Sequence, residues 1–189
     1  MKKIILASGS PRRKELLDKT GILFEVIPNV YEEDMSMNLS PIELAIFLSK
    51  GKAEDVANKN PNAIVIGADT FVVLGDQILG KPHTKDKAKE TLSMLRGKQH
   101  SVITGFTIIE KSLNKSISKA VETKVYFKNL TNEEIEDYVN TGEPLDKGGS
   151  YAIQGIGKKL VEKIEGDYSN IVGLPVNDVL KALKEFDIN

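Results

Sequence analysis

The sequence predicts an α/β fold, and three stretches carry that prediction. Ile4-Ile5-Leu6-Ala7 is an apolar run that reads as a buried strand; it passes through Ser8-Gly9-Ser10 into Pro11-Arg12-Arg13-Lys14-Glu15-Leu16-Leu17, which reads as a helix. Ala63-Ile64-Val65-Ile66 is apolar at every position, as in a strand covered on both faces. His100 to Glu110 and Ser116 to Lys128 are two long extended segments joined at Leu113-Asn114-Lys115, a long antiparallel pair. With 189 residues the chain is expected to be a single domain over residues 1–189, with room for two lobes and a sizeable core.

The elements follow in order. Helix one runs from Pro11 to about Lys19, with Ser10 suited to the N-cap, Pro11 to the first helical position and Gly21 to the C-cap. Phe24-Glu25-Val26-Ile27 is a short strand ended by Pro28, and Val30 to Asn38 is a polar, acidic loop with Glu32, Glu33 and Asp34 in a row. The second helix spans Pro41 to about Lys59, with Leu44, Phe47, Leu48, Ala53, Val56 and Ala57 on its apolar stripe. Gly51 interrupts that stripe, and pattern alone turns Lys52 to solvent. After Gly67-Ala68-Asp69-Thr70 come Phe71-Val72-Val73-Leu74, a Gly75-Asp76 turn and Gln77-Ile78-Leu79, a hairpin that leaves Asp69 between two apolar strands.

Gly80-Lys81-Pro82 closes that segment, and Thr84 caps a third helix carrying Ala88, Leu92 and Leu95 on one face. In the second extended segment Val121, Thr123, Val125 and Phe127 alternate onto one side. A fourth helix, Asn132 to about Asn140, buries Ile135, Tyr138 and Val139. The glycine-rich stretch Asp146 to Gly155 suits either close backbone approach to a ligand or plain turns. Leu160 to Ile164 is a last strand, Gly166 to Asn170 a loop, and the final helix starts near Pro175 with Val176, Val179, Leu180 and Leu183 at helical spacing.

Composition narrows the function. A net charge of −1 offers no general field for nucleic acid or membrane, and no aromatic series is laid out for stacking on single strands. Without cysteine there are no disulfides and no thiol catalysis. No apolar run approaches the ~20 residues that span a bilayer, and the N-terminal run is too short for a signal peptide, so a cytoplasmic location is expected. His83 and His100 lack partner spacing for zinc, and neither the G-x-x-x-x-G-K-[ST] nor the G-x-S-x-G pattern occurs.

The first helix departs from the usual charge pattern. A first turn commonly carries Asp or Glu against the helix dipole; Ser40-Pro41-Ile42-Glu43 and Thr131-Asn132-Glu133-Glu134 do so as capping boxes. The first helix carries Arg12 and Arg13 instead. Either these are solvated surface arginines, or an external anion, phosphate above all, completes the helix end. Candidate cations are Arg12, Arg13, Lys52, Lys81 and Lys147; candidate carboxylates are Glu32, Glu33 and Asp69, with Asp146 a weaker one. A polyphosphate needs several cations, and its hydrolysis commonly needs carboxylates to hold Mg²⁺ and orient water. A buried Asp69 is costly unless paired or metal-bound; it reads equally as a turn cap.

These residues carry a resemblance. Ala7-Ser8-Gly9-Ser10-Pro11-Arg12-Arg13, Glu32-Glu33, Lys52-Ala53, Ile66-Gly67-Ala68-Asp69-Thr70, Gly80-Lys81-Pro82, His100-Ser101-Val102-Ile103-Thr104-Gly105, Ile153-Gln154-Gly155 and Gly173-Leu174-Pro175 stand in order along nearly the whole chain. In them the chain resembles the Maf family of nucleoside triphosphate pyrophosphatases. The resemblance implies a Maf/ITPase-like α/β fold: a long mixed sheet flanked by helices, and two lobes with a central cleft. It implies hydrolysis of a nucleoside triphosphate to the monophosphate and pyrophosphate with a divalent cation, Mg²⁺ or Mn²⁺. Asp69 matches the family's proton acceptor, and Glu33, Lys52 and Lys81 match its other polar catalytic positions. Arg12, Thr70 and Gln154 match the branch acting on dTTP and UTP, with modified pyrimidine nucleotides an open extension. The order of residues from Asp146 to Ala152 departs from the family's usual alanines and glycines.

A Gln154 amide complements the adjacent acceptor and donor of uracil or thymine, where a carboxylate would better suit guanine. The expected arrangement lays the triphosphate over the first helix start, held by Ser8, Arg12, Arg13, Lys52 and Lys81, with Glu33 and Asp69 holding the metal. Asp69 is base, metal ligand or both. The family also implies a homodimer and a role in septum formation, and the rival reading is a nucleotide-sensing regulator of cell division without significant turnover. Neither nucleic acid nor membrane is an expected partner.

Overall fold

The computed structural model describes residues 2–34 and 37–187. Its elements run β1 (Ile4–Leu6), α1 (Pro11–Asp18), β2 (Glu25–Val26), α2 (Pro41–Ala57), β3 (Ile64–Leu74), β4 (Gln77–Leu79), α3 (Lys85–Leu95), β5 (Gln99–Glu110), β6 (Lys115–Phe127), α4 (Asn132–Asn140), β7 (Val161–Glu165), α5 (Tyr168–Val172) and α6 (Val176–Leu183). The strands form one mixed sheet in the order β2-β1-β3-β5-β6-β7, with β4 paired to β3. β1 lies parallel to β2 and β3, with Ile5 opposite Val65; β4 is antiparallel to β3, and β7 to β6. The chain divides into two compact units: residues 1–70, 104–121 and 172–189, and residues 71–103 and 122–171.

In the first unit, the side chains of β1 and β3 alternate between two cores, as the pleat requires. Ile4, Leu6, Ile64 and Ile66 face Leu17 of α1 and Val179, Ala182 and Leu183 of α6. Ile5 and Val65 face Ala53, Val56 and Ala57 of α2. The unbroken apolar runs are thus strands covered on both faces. Each fully buried Ile or Leu contributes about 1.5–3 kcal/mol to holding the layers together.

In the second unit, α3 buries Ala88, Leu92 and Leu95, and α4 buries Ile135, Tyr138 and Val139. Thr123, Val125 and Phe127 of β6 are buried, following the predicted alternation. His100, Phe127 and Tyr151 meet edge to face, with ring centroids 4.8–5.5 Å apart. His100 Nε2 lies 2.8 Å from the Tyr151 hydroxyl. Burial pushes the His100 pKa down to about 4, so it stays neutral in the core.

Both capping boxes form, at Ser40/Glu43 and Thr131/Glu134, and Thr84 accepts from the Lys87 N–H. Three local expectations change. β3 is one continuous strand through Gly67-Ala68-Asp69-Thr70, so Asp69 lies inside a strand rather than between two. The predicted loop after β7 contains the short helix α5, nucleated by Asp167 Oδ1, which accepts from the Ser169 N–H at 2.7 Å and the Ser169 hydroxyl at 2.8 Å. Ser10 occupies the N-cap of α1, but its side chain makes no capping bond; its own N–H donates to Ser8 Oγ at 3.2 Å.

Candidate active site

The site in the first unit begins with how closely α2 approaches the sheet. A Cβ on Gly67 of β3 would stand 2.6 Å from the Ser49 carbonyl oxygen and the Ala53 nitrogen; one on Gly105 of β5 would stand 2.1 Å from the Ala45 carbonyl oxygen. Both glycines therefore let the helix backbone rest directly on the strands. That approach carries Lys52 inward, against the solvent-facing placement its pattern suggested. Lys52 is only 8% exposed and Asp69 7%, and the ammonium is ion-paired with Asp69 Oδ1.

The acidic loop is tied to the same helix. The Val30 N–H donates to Asp55 Oδ2 at 2.8 Å, and the Asn29 amide to the Ala7 carbonyl at 2.8 Å. A Cβ on Gly51 would stand 2.3 Å from the Tyr31 ring, so the ring occupies the space that Gly51 leaves open. The glycine that interrupts the apolar stripe is a seat for Tyr31. Two residues further on, Glu33 Oε1 reaches Lys52 Nζ at 2.6 Å with its side chain 44% exposed. One ammonium thus bridges a buried and a half-exposed carboxylate. Glu32, beside it, is exposed.

The two arginines separate. Arg12 is exposed, whereas Arg13 is half-buried. Arg13 Nε donates to the Gly173 carbonyl at 2.7 Å, Nη1 to Ser8 Oγ at 3.3 Å and Nη2 to Thr70 Oγ1 at 3.1 Å. Thr70 Oγ1 also lies 3.0 Å from Thr104 Oγ1. Arg13 therefore ties the turn after β1 to β3 and to the turn before α6, where Gly173 takes a φ of +127°. Thr104 and Gly173 were given no role from the sequence, although each stands in one of the motifs quoted above.

Electrostatics follow from this enclosure. Burial raises the Asp69 pKa above the ordinary carboxylate value, only partly opposed by Lys52 and Arg13, while Glu33 adds to the rise. Burial lowers the Arg13 pKa, opposed by Asp69 and reinforced by Arg12. A carboxylate with a raised pKa, hydrogen-bonded to a lysine in a dry setting, is a stronger base than a solvated one.

The remaining candidates lie in the second unit. Lys81 is exposed, on a stretch fixed by backbone bonds from Gly149 N–H to the Gly80 carbonyl (3.3 Å) and from His83 N–H to the Leu145 carbonyl (3.1 Å). Asp146 and Lys147 pair with each other. Gln154 is exposed in a turn between buried Ile153 and Gly157. Among the described residues no helix is long and apolar enough to cross a membrane.

The family model described as Maf-like protein matches residues 3–186. A dTTP/UTP pyrophosphatase of Bacillus cereus (strain G9842) is 50% identical over 189 residues, covering 100% of this chain and 98% of that protein. The protein so named from Bacillus anthracis is 49% identical with the same coverage. Among solved structures, a HAM1 protein from Coxiella burnetii matches with a TM-score of 0.54 at 13% identity, covering 98% of this chain and 100% of that one. The Ham1 protein of Staphylococcus aureus matches at 0.51 and 14% identity, covering 97% and 99%. Those two bear on the fold alone, a mixed sheet flanked by helices. The family model runs nearly end to end, and relatives at half identity cover the whole chain: the chain belongs to the Maf-like protein family.

Proposed function

We propose that this protein is a nucleoside triphosphate pyrophosphatase that hydrolyses dTTP and UTP to the monophosphate and pyrophosphate. The observation that carries the reading is the buried Lys52–Asp69 pair, with Glu33 on the same ammonium, in a chain half identical to proteins named for that reaction. The first turn of α1 holds no acid and its N-cap side chain makes no capping bond, so its N–H groups and the exposed Arg12 suit a phosphate chain. Arg13 serves mainly as the scaffold that fixes Ser8 and Thr70 around that turn.

In the reaction, a water oxygen bonds to the α-phosphorus while the bond from that phosphorus to its bridging oxygen breaks. The bond's electron pair leaves with pyrophosphate, and Asp69 takes the water's proton. Lys52 orients Asp69 and stabilises its ionised form before attack. Lys81 is assigned to the leaving pyrophosphate and Gln154 to the pyrimidine edge.

One or two carboxylates completed by substrate phosphates and water are the oxygen set that Mg²⁺ takes, and Glu33 and Asp69 are two such carboxylates, both engaged here by the Lys52 ammonium. Among the described residues no group of three acidic or imidazole side chains could hold a metal unaided. Glu33 and Asp69 would hold a divalent cation, which would supply charge neutralisation at the phosphates.

The test is phosphate release from dTTP, UTP, CTP, GTP and 7-methyl-GTP, with and without added inorganic pyrophosphatase. Signal from dTTP and UTP that requires the helper enzyme is the expected result. Silence on every nucleotide would replace this reading with nucleotide sensing.

A further inference from the structure

The turn that carries Gln154 is held by Tyr138 and Glu143, neither of which belongs to the catalytic and binding residues named above. The Ala152 N–H donates to the Tyr138 hydroxyl oxygen at 3.2 Å. The Ile156 N–H donates to Glu143 Oε1 at 3.0 Å and the Gly157 N–H to Glu143 Oε2 at 2.9 Å. The Tyr138 hydroxyl donates in turn to Glu143 Oε2 at 2.7 Å. Both sides of Gln154 are thus fixed to one phenol–carboxylate pair, while Gln154 itself is left exposed.

The glycines of this turn are shaped to the same pair. A Cβ on Gly155 would stand 1.9 Å from Glu143 Oε1, and one on Gly157 2.5 Å from the Tyr138 hydroxyl. Gly155 has an ordinary φ of −107°, so its lack of a side chain is a matter of room for the carboxylate. Tyr138 is anchored in the buried face of α4, and Glu143 follows directly on Gly142, whose φ is +77°. Burial would raise the Glu143 pKa, but the Tyr138, Gly157 and Ile156 donors outweigh it and hold Glu143 below its ordinary value, so it is a carboxylate throughout the neutral range.

Such a hold matters because a glutamine amide is ambidextrous. Rotated by half a turn it offers a donor where it offered an acceptor. One orientation suits the carbonyl and N–H of uracil or thymine, the other the amino group and ring nitrogen of cytosine. Gln154 alone cannot separate these bases; a fixed backbone around it can, because its neighbouring N–H and C=O groups do not rotate.

We infer that Glu143, with Tyr138, is a positioning residue that fixes the Gln154 turn and thereby sets discrimination of uracil and thymine from cytosine. The inference rests on the functional reading proposed above. Its test is kcat and KM for UTP and CTP in wild type, Glu143→Ala, Glu143→Gln and Tyr138→Phe. Losing the carboxylate is expected to raise KM for UTP about tenfold, the size of one neutral hydrogen bond between a displaced Gln154 and the base. The UTP/CTP ratio of kcat/KM should fall with it, least in Glu143→Gln, which retains one acceptor oxygen. Partial unfolding lowers the active fraction equally for both nucleotides and leaves that ratio unmoved, so the ratio separates positioning from stability. An unchanged ratio in Glu143→Ala and Tyr138→Phe, alongside a wild type that prefers UTP, overturns the clamp and leaves the pyrophosphatase reading standing. A wild type with no turnover or no such preference overturns both.

Discussion

Replacing Lys52 by Met is the sharpest perturbation of the charge arrangement at the centre of the first unit. Methionine keeps most of the volume and removes the ammonium. Lys52 and Asp69 are 8% and 7% exposed, so the variant leaves a buried carboxylate without its ion-pair partner. Breaking a buried pair on one side costs about 3–5 kcal/mol. Loss of the half-exposed Glu33 contact adds at most ~1 kcal/mol. The expected destabilisation at pH 8 is therefore about 3–6 kcal/mol, measured by urea unfolding with slopes compared between variants.

Its pH dependence has a definite sign. The folded pKa of Asp69 is already raised, and removing Lys52 raises it further. A group with a raised folded pKa favours folding while protonated, and that contribution is lost as pH rises through the folded value. The Lys52→Met deficit is therefore full above the variant's Asp69 pKa and shrinks as pH falls from that value towards the wild-type one. The double variant Lys52→Met/Asp69→Asn removes the orphaned charge and should recover most of the loss at pH 8. A Lys52→Met protein within about 0.5 kcal/mol of wild type at pH 8, the scatter of ordinary surface changes, would refute the reasoning, as would a double variant no more stable than the single one.

Further outcomes follow from the same geometry. Arg13→Ala loses three hydrogen bonds that join separate segments and should cost about 2–4 kcal/mol in unfolding free energy. Arg12→Ala, at an exposed position, should stay within about 0.5 kcal/mol of wild type and instead raise KM for UTP. Gly105→Ala places a methyl 2.1 Å from the Ala45 carbonyl oxygen and should lower stability by about 1–3 kcal/mol or more, read as a drop in Tm. In metal-free protein the Asp69 carboxyl should titrate above 3.8, the ordinary Asp value, followed by NMR of its carboxyl carbon.

The legibility of this chain in its sequence depended on distance along it. Elements whose signals are local were readable: the capping boxes at Ser40 and Thr131, the apolar β1 and β3, the periodic stripe of α6. Lys52 was not, because its direction is decided by Gly67 and Gly105, whose missing side chains let α2 settle onto strands far away in sequence. The same holds for Gly51, which looked like a flaw in a helix and is the seat of the Tyr31 ring. Arg12 and Arg13 looked equivalent as neighbours; only the packing of Gly173 and Thr70 separates the half-buried scaffold from the exposed cation. The cost of burying a carboxylate left Asp69 open between a turn cap and a site residue until the family resemblance chose, and its partner lies 17 residues away on another element. The roles proposed for Glu33, Lys81 and Gln154 rest on the family resemblance, since nothing in their local sequence distinguishes them from surface residues.

The central claim is that Asp69, held by Lys52, is the base for water attack on a pyrimidine nucleoside triphosphate. The most direct measurement is pyrophosphate release from dTTP and UTP by wild type and by Asp69→Asn, with folding of the variant checked by unfolding midpoint. The account predicts wild-type turnover of both nucleotides and a fall of about 10²–10⁴-fold in the folded variant. A folded Asp69→Asn protein that turns over dTTP at the wild-type rate would contradict it.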